Sequence, residues 1–268
     1  MKCDLRSHLL ATRPPGTDET VAPAAHRARI LLVENGANMA ETTKPKQNIL
    51  VIDVGGTHLK FIDSQHSAPV KLPSGPEMSA PRMVTEVQTA TKDWRYTAVS
   101  IGYPGPVRQG RPLAEPHNLG AGWVSQDFEK AFGCPVRIVN DAAMQALGSY
   151  DGGRMLFLGL GTGFGSALIV EGVLAPMELA HLPYRKGHTY EDYVGLRGLE
   201  RMGKARWRRH VLVVIDQFRR ALEAEYVVVG GGNSKLLKEL PDGVRLGANS
   251  NAFLGGFRLW NEYPQKQR

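Results

Sequence analysis

The sequence predicts an α/β fold in which one short pattern occurs twice. Ile49-Leu50-Val51-Ile52 is a continuous apolar run of the kind buried on both faces of a sheet, and Leu59-Lys60-Phe61-Ile62 follows it across a glycine turn. Met155-Leu156-Phe157-Leu158-Gly159-Leu160 and Ser166-Ala167-Leu168-Ile169-Val170 repeat the order of strand, glycine turn and strand. The 268-residue length adds that, at about 150 residues per domain, the chain holds roughly two domains.

Each remaining element has its own signal. Pro81 to Lys92 carries Met83, Val84, Val87 and Ala90 at helical spacing, and Tyr96 to Ile101 reads as a strand ending in Gly102-Tyr103-Pro104-Gly105. Val136-Arg137-Ile138-Val139 is the next strand, running into Asn140-Asp141 with a helix from Ala142 to Tyr150 behind it. In the second cycle, Arg206 to Leu222 is the best amphipathic helix of the chain, with Trp207, Val211, Val214, Ile215, Phe218 and Leu222 on one face. The buried strand Tyr226 to Val229 leads to Gly230-Gly231-Gly232-Asn233, which is expected to open a helix through Leu240. Val244 to Leu246 and Ala252 to Trp260 close the chain as strand and helix. The expected division is 48–143 and 144–268, with the last helix packing back on the first half.

Residues 1–47 read differently. Arg13-Pro14-Pro15-Gly16 and Pro23 punctuate them, and Ile30-Leu31-Leu32-Val33 is too short an apolar run to make a core. Basic residues interrupt the short apolar stretches, so a secretory signal is not expected. Met39 opens a polar lead-in to the first strand, so this segment is expected to be a flexible extension, with Met39 as an alternative start.

Composition narrows the class further. Two cysteines, Cys3 and Cys134, cannot build a disulfide framework or a cysteine-rich zinc site within one chain, which fits a reducing, cytoplasmic setting. No apolar run approaches the roughly 20 residues needed to span a bilayer, so no membrane partner is expected. The excess of 33 Lys and Arg over 26 Asp and Glu invites a polyanion partner. Residues 1–47 contribute only +2 of the net +7, so most of the excess belongs to the remaining 221 residues.

The two glycine turns carry the chemistry. Each offers backbone N–H groups without a Cβ in the way and a hydroxyl beside them, which suits a phosphate chain. In the first, Asp53-Val54-Gly55-Gly56-Thr57-His58-Leu59-Lys60, the carboxylate at the strand end could orient a hydrated Mg2+ and Lys60 could add positive charge. The second, Gly161-Thr162-Gly163-Phe164-Gly165, has no charge of its own. A lone turn of this kind is commonly just a hairpin. In tandem, with Asn140-Asp141 between them, they suggest a clasp on one phosphate group.

These motifs, with Ile101-Gly102-Tyr103-Pro104-Gly105-Pro106-Val107, Asn118-Leu119, Val139-Asn140-Asp141-Ala142, Glu178-Leu179-Ala180-His181 and Gly230-Gly231-Gly232-Asn233, make the chain resemble the ROK family of sugar kinases. The resemblance covers residues 48 to 260 and is closest to the polyphosphate-dependent glucokinases. It implies an actin-like (ribonuclease H-like) ATPase fold, with two domains and a cleft between them that closes over a sugar. It also implies phosphoryl transfer from ATP or polyphosphate to the sugar 6-hydroxyl, and a homodimer is expected.

The resemblance matches Asp141 to the catalytic base, since a carboxylate at a strand end can accept the hydroxyl proton while positioning it for in-line attack. Asp141 is equally good N-cap chemistry for a helix beginning at Ala142. Asn118, Asn140, Asp141, Glu178, His181 and Glu191 match sugar-binding positions, where paired polar groups read hydroxyls that both donate and accept. By themselves, Asn118 reads as a turn residue and His181 as an ordinary partly buried histidine. Asp53 would orient Mg2+ through water, Gly55, Gly56 and Thr57 would cradle the transferred phosphate, and Gly161, Thr162 and Gly163 would hold the phosphates before it. Gly231 and Gly232 lie where the family passes an adenosine ribose, or serve packing alone.

The chain departs from the family in two ways. Leu182 to Tyr190 contains no cysteine where many ROK proteins complete a zinc site, so structural zinc is not expected. Ala180 stands where the family usually has glycine. A basic cluster, Arg197, Arg201, Lys204, Arg206, Arg208 and Arg209 with Arg185 and Lys186 nearby, is either a solvated helix face or a surface for a long anionic donor. Residues 1–47 show no pair of helical periods able to form a helix-turn-helix, so nucleic acid is not expected. The expected activity is glucose phosphorylation in carbohydrate metabolism and glycolysis. The alternatives are a kinase for mannose, fructose or an N-acetylated sugar, and a catalytically silent sugar sensor.

Overall fold

A computed structural model of the chain describes residues 47–248 and 250–261. The expectations for the N-terminal extension and for a start at Met39 fall, Gln47 apart, outside the described residues.

The first half runs β1 (Ile49–Val54), β2 (His58–Asp63), β3 (Val70–Pro73), α1 (Ala80–Ala90), β4 (Ala98–Tyr103), the small hairpin β5 (Val107–Arg108) and β6 (Arg111–Pro112), α2 (Phe128–Phe132) and β7 (Val136–Asn140). The second begins with α3 (Asp141–Ser149) and continues through β8 (Arg154–Leu160), β9 (Phe164–Val170) and β10 (Val173–Met177) to a 3-10 turn at Leu179–His181. The hairpin β11 (Pro183–Arg185) and β12 (His188–Thr189), then α4 (Tyr190–Val194), α5 (Leu196–Ala221), β13 (Tyr226–Gly230), β14 (Val244–Leu246) and α6 (Asn251–Asn261) complete the chain.

Two five-stranded sheets result, with orders β3-β2-β1-β4-β7 and β10-β9-β8-β13-β14. In the first, β1 pairs antiparallel with β2 and parallel with β4, and β4 is parallel to β7. In the second, β8 pairs antiparallel with β9 and parallel with β13, and β13 is parallel to β14. Strand order and direction are therefore the same twice over, as the repeated sequence pattern requires.

The period-2 alternation of strands decides which side each residue serves. Leu50, Ile52 and Val54 of β1 join a core with α1 and α2, and Leu156, Leu158 and Leu160 of β8 join one with α5. Ile49 and Val51, and Met155 and Phe157, turn to the opposite faces, into a third core built around α3 and α6. Both central strands are thus buried on both faces, which is why they are unbroken apolar runs. The helices α3 and α6 cross at backbone contact. A Cβ on Gly148 would collide with the Asn251 carbonyl, and one on Gly255 with that of Met144. Ser100 of β4, wholly buried, donates to the Gly256 carbonyl at 2.7 Å and accepts Trp260 Nε1–H at 2.9 Å, so α6 is fastened to the first sheet.

Two elements differ from the sequence expectation. The amphipathic helix begins ten residues earlier than Arg206, at Leu196, and is broken at Gly203, whose φ of 73° no helix accommodates. The helix expected after Gly230-Gly231-Gly232-Asn233 is only a 3-10 turn, Ser234–Leu236. Asn233 makes no side-chain cap there and turns its Nδ2 to the Gly161 carbonyl, and Pro241 disfavours helical backbone at Leu240.

Candidate active site

The first glycine turn closes when Gly55 N–H donates to the His58 carbonyl at 3.0 Å. A Cβ at Gly55 would stand 2.8 Å from that oxygen, so only glycine fits. Gly56 faces Asn118, whose Cβ lies 3.4 Å from where a Gly56 Cβ would be. Asn118 is exposed and lies over the turn. The amides of Gly56 and Thr57 donate to no acceptor among the described residues. The Thr57 hydroxyl lies 3.0 Å from His58 Nδ1. Asp53 and Lys60 stand opposite each other in the β1–β2 register, and Lys60 Nζ reaches Asp53 Oδ2 at 3.1 Å. Lys60 therefore balances the carboxylate as well as adding charge beside the turn.

The second turn is held from three sides. Gly161 N–H donates to the Gly163 carbonyl at 3.1 Å, and Leu196 N–H at the start of α5 donates to the Thr162 carbonyl at 3.2 Å. Glu191 of α4 accepts Phe164 N–H at Oε2, 3.1 Å, and the Arg197 guanidinium at Oε1, 3.2 Å. Asn233, to which the sequence reading gave no role of its own, donates Nδ2–H to the Gly161 carbonyl at 3.0 Å. Gly231 adopts a φ of 83° and lies so close that a Cβ would collide with the Leu160 backbone, whereas Gly232 opens to empty space. The amides of Thr162 and Gly163 donate to no acceptor among the described residues.

The junction of β7 and α3 lies between these turns. Asn140, not Asp141, is the N-cap: its Oδ1 accepts the amides of Ala142 at 2.9 Å and Ala143 at 3.2 Å. Its Nδ2 donates to the Gly105 carbonyl at 3.1 Å. The helix starts at Asp141, correcting both the expected start at Ala142 and the capping alternative for Asp141. Gly102, which pairs with Asp53 across β1 and β4, leaves its missing Cβ 3.7 Å from Asp141 Cα. On the other side, a Cβ at Gly165 would stand 2.7 Å from Ala142 Cβ. The start of α3 thus touches the strand of one turn and the strand after the other. Burial, then the Asp53 charge and, more weakly, that of Glu178, push the Asp141 carboxyl up to about 7, against a hydrogen bond from Ala142 N–H that favours the charged form.

Glu178 precedes the 3-10 turn after β10 and His181 is its last residue; both are exposed, so His181 is not a partly buried histidine. The buried Ser166 hydroxyl pins this segment by donating to the Met177 carbonyl at 2.9 Å and accepting Leu179 N–H at 3.3 Å. Partial desolvation of its carboxyl pushes Glu178 up, His181 offsets this, and Glu191 adds to it. Asp141 thus feels the charges of Asp53 and Glu178, and Glu178 that of Glu191.

These residues fit Mg2+, which is bound through one or two carboxylates plus phosphates and keeps several waters. Asp53 Oδ1 carries no hydrogen bond among the described residues, and the amides beside it would meet the phosphates. Among the described residues no three His, Cys, Asp or Glu side chains converge on one ion position, so an all-protein cage is not the arrangement.

Comparison with known proteins places the fold among sugar kinases. Residues 49–176 match the model of the ROK family. The chain is 25% identical over 239 residues to the polyphosphate glucokinase of Mycobacterium tuberculosis, covering 82% of this chain and 83% of that protein. Among solved structures, the inorganic polyphosphate/ATP-glucomannokinase of Arthrobacter sp. strain KM superposes with a TM-score of 0.66 at 24% identity, covering 78% of this chain and 96% of that one. The ROK family glucokinase of Streptomyces griseus, solved with glucose and AMPPNP, gives a TM-score of 0.62 at 16% identity, with 79% and 98% covered. With its duplicated sheets and paired glycine turns, this chain has the actin-like ATPase fold, and its residues 49–176 are similar to the ROK family.

Proposed function

We propose that this chain is a sugar kinase that transfers a phosphoryl group from ATP or inorganic polyphosphate to the 6-hydroxyl of glucose, with Asp141 as the general base. The observation that supports this most directly is the position of Asp141 at the start of α3. Its backbone is packed between the strand of one glycine turn and the strand after the other, and its carboxyl is raised into the range useful for proton transfer.

Asp141 accepts the 6-hydroxyl proton as the sugar oxygen bonds to the terminal phosphorus. The bond from that phosphorus to the donor's bridging oxygen breaks, and ADP or a polyphosphate shorter by one unit leaves. The unpartnered amides of Gly56 and Thr57 cradle the transferred group, and those of Thr162 and Gly163 hold the phosphates before it. Mg2+, oriented by Asp53 through water, would neutralise charge on the donor phosphates. Asn118, Asn140, Glu178 and His181 read the sugar hydroxyls, and Gly231 and Gly232 border the nucleotide when ATP is the donor. Closure of 48–143 on 144–268 would exclude water from the reaction.

The test is a matrix of glucose, mannose, fructose and N-acetylglucosamine against ATP and polyphosphate, read as sugar phosphate formed. Mannose is included because the Arthrobacter neighbour is named a glucomannokinase. Formation of glucose 6-phosphate that is lost in Asp141→Asn is the expected result. Calorimetric glucose binding with no phosphorylation from either donor would replace this reading with a sugar sensor.

A further inference from the structure

The β11–β12 hairpin and α5 enclose a cavity of about 520 Å³ on the other side of α4 from the second glycine turn. Glu191 of α4 reaches the turn, while Tyr193 two residues on lines the cavity. The polar lining is basic: Arg185, Lys186 and His188 from the hairpin, and Arg201, Arg206 and His210 from α5. Tyr193 and Met202 supply the apolar floor, and among the described residues no carboxylate lines it.

A solvated helix face would spread its cations around the axis. Here the break at Gly203 redirects the helix between Arg201 and Arg206, so residues on either side of the kink meet in one concavity with a second element. None of Arg185, Lys186, Arg201 and Arg206 has an ion-pair partner among the described residues. Arg201 donates to the Asp192 carbonyl at 2.7 Å and lies over the Tyr193 ring, and Arg185 lies over Tyr184, so two guanidinium groups are held in place. Asp192 beside the hairpin accepts from Thr189 at 2.9 and 3.0 Å and pairs with His188 Nδ1 at 3.8 Å, which leaves the Arg and Lys side chains of the lining without it. His210, bonded to Tyr184 Oη at 3.1 Å, is pushed down by burial and then by Arg185, Arg206, Arg209 and Arg201. The smaller, charge-borne part of that depression comes from these guanidinium groups gathered around one concavity.

We infer that this cavity is an anion site, separate from the transfer cleft, that takes several linked phosphates. Fixed guanidinium groups suit phosphate oxygens bidentately, several unpaired cations at one concavity match a multiply charged anion, and the volume is within the roughly 300–1,000 Å³ of ligand sites. The same chemistry is offered by an inorganic polyphosphate chain and by a nucleoside triphosphate. The inference does not depend on the kinase reading, because its readout is binding.

The experiment is calorimetry on the full chain with tripolyphosphate, ATP and orthophosphate in turn. Wild type is expected to bind tripolyphosphate or ATP at this site, and Arg185→Gln/Arg206→Gln to lose that component by about tenfold or more in affinity. Binding of tripolyphosphate alone identifies the inorganic chain as the source, and binding of ATP alone the nucleotide. Lys186→Gln/Arg201→Gln serves as an independent pair should the first fail to fold, as judged by thermal melting. Protection of Arg185 and Arg206 in wild type from phenylglyoxal by tripolyphosphate or ATP reads the same site without substitution. Absence of that protection, or both pairs binding with wild-type affinity and stoichiometry, overturns the inference. So does tighter binding of a short single-stranded oligonucleotide than of either phosphate ligand at this site. Sugar phosphorylation, measured separately, decides the kinase reading and leaves this result standing.

Discussion

Glu191 Oε2 accepts the amide of Phe164 at 3.1 Å, while its other oxygen accepts Arg197 at 3.2 Å. The family resemblance implies a sugar-binding role for Glu191, yet both oxygens are engaged in holding the second glycine turn. Glu191→Ala leaves the Phe164 N–H without its acceptor, a loss of about 1–3 kcal/mol, and loosens the turn beside Thr162 and Gly163. The expected outcome is a rise of about tenfold in the donor KM with the glucose KM little changed. A glucose KM that moves instead would return Glu191 to the sugar.

Asp141→Asn keeps the size of the side chain and removes the base. A fall in kcat of about 10²–10⁴-fold is expected, with glucose affinity retained in calorimetry.

The same substitution has a stability signature with a definite sign. The folded carboxyl is raised from 3.8 to about 7 by burial, Asp53 and Glu178, so the folded state favours its neutral form. Its contribution to stability is complete below 3.8, is lost progressively as pH rises, and levels off above about 7. Asn carries no charge to bury. In magnesium-free buffer the melting temperature of Asp141→Asn is expected to exceed that of wild type by a margin that grows between pH 4 and pH 7 and is constant above it. A margin independent of pH would mean that the carboxyl is not raised.

Asn233→Ala removes the Nδ2 bond to the Gly161 carbonyl, the link between the turn after β13 and the second glycine turn. About 1 kcal/mol of stability is expected to be lost, together with donor affinity, while glucose binding is kept. Gly231→Ala is expected to do more damage, because it adds left-handed strain at a φ of 83° to a collision with the Leu160 backbone. Thermal melts of the two variants should rank them in that order.

What could be read from the sequence follows from what was local. The runs Ile49–Ile52 and Met155–Leu160 are apolar on both faces, so burial and strand type were legible, and the repeated glycine turns gave the duplication. The break in α5 was not, because Gly203 lies among good helix formers and nothing in the local pattern marks its φ of 73°. The short turn after Gly230-Gly231-Gly232-Asn233 was hidden for a related reason: Asn233 reads as a helix cap until its amide is seen to reach Gly161, 72 positions away. The basic cluster was legible as a list of charges. Its convergence on a cavity depended on the kink and on a hairpin from another part of the chain.

Asn140 carries two roles that a pair of substitutions separates. Its Oδ1 caps α3 through Ala142 and Ala143, and its Nδ2 ties that helix start to the Gly105 carbonyl. Asn140→Ala loses both, at a cost of about 1–2 kcal/mol from the cap alone. It also frees the residue before Asp141, so kcat should fall along with stability. Asn140→Ser restores a capping oxygen but not the donor to Gly105 or to a sugar hydroxyl. If the residue acts on the reaction only by positioning Asp141 through the cap, Ser recovers the melting temperature and kcat together. If Asn140 also reads the sugar, Ser recovers the melting temperature while the glucose KM stays raised. The second outcome is the expected one, because the oxygen is consumed by the helix and the amide is the group left near the site to donate. A glucose KM that returns to wild type in Asn140→Ser would remove Asn140 from the sugar contacts.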